Sequence, residues 1–159
     1  MKKFLIVISA LALCFCTACS FFGEKKKSFT FPVTEFEERN VKITAGDYEL
    51  EGKLSCSFEQ LFTLTLFSPE AVSGMKITHN SSGTTTDFLD LAYNDDFLSS
   101  IGLSEVFDAI KVMSNTENLT EDELGYYGFT TSGKSFTVLT DEEGNILKIT
   151  LEGISIEFI

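Results

Sequence analysis

The chain has 159 residues, with 24 acidic and 12 basic side chains and a formal net charge of −12. That length fits one domain with enough chain to bury a core. The charge argues against nucleic-acid binding, which needs Lys and Arg to neutralise phosphate, and against general adsorption to anionic lipid; it suits solubility at a cell surface.

The first nineteen residues read MKKFLIVISALALCFCTAC. Lys2 and Lys3 form a positive start, Phe4 to Phe15 an apolar run broken by Ser9, and Thr17-Ala18 a small-residue cleavage site. An apolar run this short is an export signal, well under the roughly 20 residues of a spanning helix. Cys16-Thr17-Ala18-Cys19 resembles a bacterial lipobox, with Cys16 where leucine is usual. The resemblance implies cleavage before Cys19 and a diacylglyceryl group on that cysteine. Two acyl chains make a stable anchor where one does not. An ordinary secretory signal cut near Ala18 is the competing reading.

The expected organisation is a signal peptide over 1–18, a lipidated cysteine with a short basic tether over 19–28, and one β domain over 29–159. The domain would stand on the outer face of the cell membrane. The tether Ser20–Ser28 reaches at most about 30 Å. Its Lys25-Lys26-Lys27 run is either a solvated linker or a contact with anionic headgroups, worth about 1 kcal/mol per lysine. Once Cys19 is lipidated and Cys14 and Cys16 leave with the signal, Cys56 is the lone thiol and no intramolecular disulfide can form.

From Phe29 the patterning is that of strands. Phe36 to Thr44 alternates in part, and Ala45-Gly46-Asp47 is a turn. From Asp47 to Phe58 the even positions Tyr48, Leu50, Gly52, Leu54, Cys56 and Phe58 oppose a polar odd set. Period two of that length predicts a half-buried antiparallel strand, with Gly52 at a bend or bulge. A strand over about 60–67 places Phe62, Leu64 and Leu66 on one face and ends at Pro69. Met75, Ile77 and His79 line the next strand. Asn80 to Gly83 is a hairpin turn, and Thr84 to Tyr93 a further strand.

The period changes after Asn94. Leu98 and Ile101 lead to Leu103, Val106, Phe107, Ile110 and Met113, spaced by threes and fours. This predicts a helix over about 104–114, N-capped by Ser104, with Glu105 in its first turn and Asn115 at its stop. Asn115 to Gly125 reads as a polar, acidic loop. Four strands follow as a meander, over about 126–131, 135–140, 146–152 and 154–159, the last two joined tightly at Gly153. The fold class is α+β, mainly β: a curved antiparallel sheet or open, unclosed barrel of about nine strands, with one principal helix packed on its concave side.

Phe67-Ser68-Pro69-Glu70-Ala71-Val72-Ser73-Gly74-Met75 after alternating strands, and Asp141-Glu142-Glu143-Gly144-Asn145-Ile146-Leu147-Lys148-Ile149 near the end, resemble small Firmicutes lipoproteins of the LolA/LolB-like lipoprotein-carrier fold. The resemblance spans roughly 35–159. It implies an unclosed barrel whose concave face can hold acyl chains, and it supplies no catalytic residues. The periplasmic carrier is not itself lipidated, which separates this chain from a shuttle.

Catalysis and metal binding find little in the sequence. His79 is the single histidine and lies on an apolar face, as does Cys56; neither a nucleophile elbow nor a zinc or EF-hand spacing is present. The expectation is no enzyme and no cofactor. The apolar lining of a ligand pocket would come from Leu54, Phe58, Phe62, Leu64, Leu66, Met75, Ile77, Phe107, Ile110, Phe136 and Val138. Two functions follow: an anchored domain that binds a lipid or another apolar ligand near the membrane, or a structural or protein-interaction module whose helix fills the same space.

Overall fold

A computed structural model describes residues 30–57, 60–89, 91–94, 101–121 and 125–159. The expected signal peptide, the Cys19 anchor, the tether and Phe58 lie outside those residues. Alternating segments form eleven strands in one sheet. They are β1 (Phe36–Ala45), β2 (Tyr48–Cys56), β3 (Phe62–Ser68), β4 (Lys76–Asn80), β5 (Gly83–Phe88) and β6 (Leu91–Asn94), then β7 (Leu119–Glu121), β8 (Tyr126–Phe129), β9 (Ser135–Thr140), β10 (Ile146–Leu151) and β11 (Ile154–Phe158). Helix α1 (Leu103–Met113) lies between the two groups.

The spatial order is β6-β5-β4-β3-β2-β1-β11-β10-β9-β8-β7, with every neighbouring pair antiparallel. The first six strands are a meander running outward from β1. The chain then passes through α1 to the opposite edge and returns as a second meander that ends beside β1. The register Val41↔Phe158 to Ala45↔Ile154 joins the two halves. No pairing joins β6 to β7 among the described residues, so the sheet is unclosed.

Each central strand buries one face, as period two requires. Val41, Ile43, Leu54, Leu64, Ile77, Phe136, Val138, Ile149 and Ile156 form one buried cluster with Leu103, Val106, Phe107, Ala109, Ile110 and Met113 of α1. Spacing of three and four puts those helical side chains on a single stripe. Burying each large apolar side chain contributes about 1.5–3 kcal/mol against the entropy of ordering the chain. Gly52 sits at a register shift between β2 and β3, and a Cβ there would lie 2.6 Å from the Thr65 carbonyl oxygen. The bend read from the sequence is therefore a bulge that glycine makes room for.

Several sequence expectations are corrected. The predicted single strand Thr84–Tyr93 is a hairpin, β5 and β6, broken at Leu89 with φ of 52°. A branched apolar residue seldom takes a left-handed turn, so the alternation of Leu89, Leu91 and Tyr93 reads as continuous strand. The predicted loop Asn115–Gly125 contains the edge strand β7, which at three residues is too short to show a period. These two changes raise the strand count from about nine to eleven. Ser104 is not the N-cap. Gly102 occupies that position with φ of 80° and no side-chain cap, and the Ser104 hydroxyl donates to Glu105 Oε2 at 3.0 Å. The helix ends at Met113, and the Asn115 side chain instead accepts from Glu117 N at the start of a 3-10 turn.

The packing predicts a large contrast between two leucines. Leu54→Ala should destabilise the protein by about 2–5 kcal/mol, because Leu54 is fully enclosed. Leu89→Ala, at a position 78 % exposed, should stay within about 0.5 kcal/mol. Urea denaturation with an unchanged slope checks both.

Candidate functional site

The space between sheet and helix is where an apolar ligand would have to lie. Leu54, Phe62, Leu64, Leu66, Ile77, Phe107, Ile110, Phe136 and Val138 all face it, and each is 0–2 % exposed. Met75 packs against the same cluster and is partly buried. A cavity wide enough for an acyl chain would leave its lining accessible to a water-sized sphere; these side chains touch one another instead. Phe107 fills the middle of the interface. Its ring stacks on Phe62 from β3 at 4.9 Å and on His79 from β4 at 5.3 Å. Beside Ile110, Phe62 and Cys56 a cavity of about 40 Å³ remains, open to Thr34 and Lys111. That is room for a water molecule and far below the several hundred Å³ of a ligand pocket.

The sequence places His79 and Cys56 on inward faces, and their surroundings explain their chemistry. His79 Nδ1 shares a 2.7 Å hydrogen bond with the Thr84 hydroxyl. Burial lowers the imidazole pKa, Lys111 lowers it further, and Asp108 opposes both. Asp108 does not serve as a partner for general-base catalysis by His79. Its Oδ2 accepts from Thr131 N at 2.6 Å and from the Thr131 hydroxyl at 2.8 Å, which ties α1 to the β8–β9 turn. Burial, with Glu35 adding to it, pushes the Cys56 thiol up to about 11, so it is protonated and poorly nucleophilic at neutral pH. Among the described residues no group of three or more His, Cys, Asp or Glu side chains could hold a metal ion. None of the described helices is long and apolar enough to cross a membrane.

Two features escape sequence reasoning because they depend on distant contacts. Glu105 of α1 pairs with Lys134 at 2.7 Å, and this bond draws the Glu105 carboxyl below its usual range. Together with Asp108 it fixes one side of the helix to the β8–β9 hairpin. The second feature is a strap, Thr30–Thr34, across the β9–β10 turn. Val33 N donates to the Gly144 carbonyl at 2.8 Å, the Thr140 hydroxyl donates to Thr30 O at 3.0 Å, and Phe31 stacks on Tyr126 at 5.0 Å. Gly144 has φ of 86°, and a Cβ there would lie 2.4 Å from the Phe31 carbonyl oxygen. The turn is held by the Asp141 carboxylate, which accepts from Asn145 Nδ2, Asn145 N and Glu143 N. Those bonds hold Asp141 below the usual carboxylate range. The strands expected over about 135–140 and 146–152 leave 141–145 as their connection, and nothing in the periodicity of the sequence marks a segment lying over it.

Comparison of the chain with protein-family models and with curated proteins returned no match.

His79 gives a pH test of this packing. Its folded pKa lies below the value of 6.5 in an unfolded chain, so the unfolded state binds the extra proton first. The His79 contribution to stability is therefore full above 6.5 and declines as pH falls below it, before the carboxylates Glu105, Asp141 and Glu157 titrate. In His79→Gln the loss between about pH 6.5 and 5.5 should vanish while the loss at lower pH remains; urea titrations across that range measure it.

Proposed function

We propose that the chain is a membrane-anchored extracytoplasmic lipoprotein whose folded part is a non-catalytic structural or protein-interaction module. One observation carries the choice between the two functions expected from the sequence: the expected lining side chains Leu54, Phe62, Leu64, Leu66, Ile77, Phe136 and Val138 are buried in one cluster with α1, each no more than 2 % exposed. The anchor rests on Cys16-Thr17-Ala18-Cys19 and the short apolar run before it. The high thiol pKa of Cys56 and the commitment of Asp108 to Thr131 support a module without nucleophilic or acid–base chemistry.

The finer architecture proposed is a sheet curled about α1, an unclosed barrel of the lipoprotein-carrier type. Strand spacing supports it. β4 and β9 stand six places apart in the sheet, about 29 Å if it were flat. A helix about 10–12 Å across nevertheless meets His79 of β4 on one side and Thr131 and Lys134 of the β8–β9 turn on the other. Lipid carriage remains the second reading, favoured by this arrangement of one helix inside a sheet. It requires α1 to leave the interior, since acyl chains and the Phe107 ring would occupy the same volume.

Cys19→Ser should shift the protein from the membrane to the soluble fraction, or leave an uncleaved precursor. Continued processing with continued membrane attachment would refute the anchor. Native mass spectrometry of the protein extracted from its membrane separates the two functions. The module predicts the chain with its N-terminal lipid and nothing more. An additional bound lipid of several hundred daltons would transfer the reading to carriage.

A further inference from the structure

The two ends of the sheet are not equivalent with respect to the N-terminus. The strap lies at the end formed by the start of β1, the β2–β3 turn, the β9–β10 turn and the end of β11. Val33 bridges Asn145, Phe36 pairs with Cys56, and Ile159 N bonds to Asn40 O there. The same end carries a row of exposed apolar side chains: Phe31, Val33, Leu61, Leu139, Leu147 and Ile159. They come from the strap, the β2–β3 turn, β9, β10 and the end of β11, so the row crosses the end of the sheet. No described element covers it.

We infer that this end of the domain rests on the lipid surface, its apolar rim in the interface between headgroups and acyl chains. The inference rests on the lipid anchor proposed above and adds the orientation of the domain on it. Chain length selects the occupant. From Cys19 to Thr30 the backbone spans at most about 40 Å. The anchored bilayer therefore lies within reach of the strap end at high effective concentration, so even a weak contact is populated. The opposite end also exposes apolar side chains, Tyr48, Phe67, Leu89 and Phe129. Bringing it to the bilayer would require the tether to run the length of β1 as well, about 33 Å, using nearly all of its reach. Glu142 and Glu143 flank the strap and are exposed. The contact is therefore apolar in character, with Lys25-Lys26-Lys27 placed in sequence between anchor and rim to offset them.

The protein has no tryptophan, so one introduced indole reports its own position. The full lipidated chain, reconstituted into phosphatidylcholine vesicles with brominated acyl chains, would carry Leu147→Trp or Ile159→Trp at the strap end, or Tyr48→Trp at the other. Both strap-end variants should lose roughly half their emission relative to unbrominated vesicles, because an interfacial side chain sits about 5–10 Å into the boundary. Tyr48→Trp should be unchanged. Equal quenching at both ends, stronger quenching of Tyr48→Trp, or no quenching in any variant that floats with the vesicles would overturn the orientation alone. Failure of every variant to float would remove the anchor and the orientation with it. Two strap-end reporters guard against one that disturbs folding.

Discussion

The structure depends on the seam between β1 and β11. Five residue pairs, Val41↔Phe158 to Ala45↔Ile154, join segments more than a hundred residues apart, and without them the chain is two separate meanders. Neither meander could bury its inward face alone, since a sheet needs a second layer. α1 supplies that layer for both. Gly102, at its start, approaches Ile154 of β11 so closely that a Cβ would lie 3.2 Å from the Ile154 methyl. Phe107 reaches β3 and β4, while Glu105 and Asp108 hold the β8–β9 turn. The helix that carries the chain from one edge of the sheet to the other is thus also the element that keeps the halves together.

That dual role bears on function. In a carrier the interior must be vacant or easily vacated. Here the side chains that would line a pocket are the ones that stabilise the seam, and removing α1 would expose Leu54, Leu64 and Phe62 together. At about 1.5–3 kcal/mol per large side chain, that exposure rivals the 5–15 kcal/mol stability of a whole domain. The polar links do not change this balance. Lys134 is half exposed, so its pair with Glu105 contributes little beyond orientation. Apolar packing holds the helix, while side chains such as Tyr48, Phe67 and Phe129 are left exposed.

Local order was legible in the sequence. The alternation from Leu50 to Cys56, the helical spacing from Leu103 to Met113, and the turns at Ser81-Ser82 and Gly153 each have a cause within a few residues, and each appears in the structure. What was illegible is non-local or breaks a local rule. Leu89 turns the chain with a backbone angle that leucine rarely adopts, and β7 is too short to have a period. The pairing of β1 with β11 leaves no mark in either segment. The same division holds at the site. Alternation shows which side chains point inward, but whether they line a void or pack depends on the volume of Phe107 and Ile110 arriving from a helix elsewhere in the chain. The strap over Gly144 is legible only once both partners are in place.

Native-state hydrogen exchange of the backbone amides tests most directly the claim that helix and seam are one cooperative unit. Amides of Val106 to Ile110 and those of Val41 and Ile156 should exchange with the same opening free energy, equal to that of global unfolding. Exchange of the helix amides at a much lower opening free energy, with β1 and β11 still protected, would contradict the account. It would show that α1 undocks from an intact sheet and that the interior opens as a carrier's must.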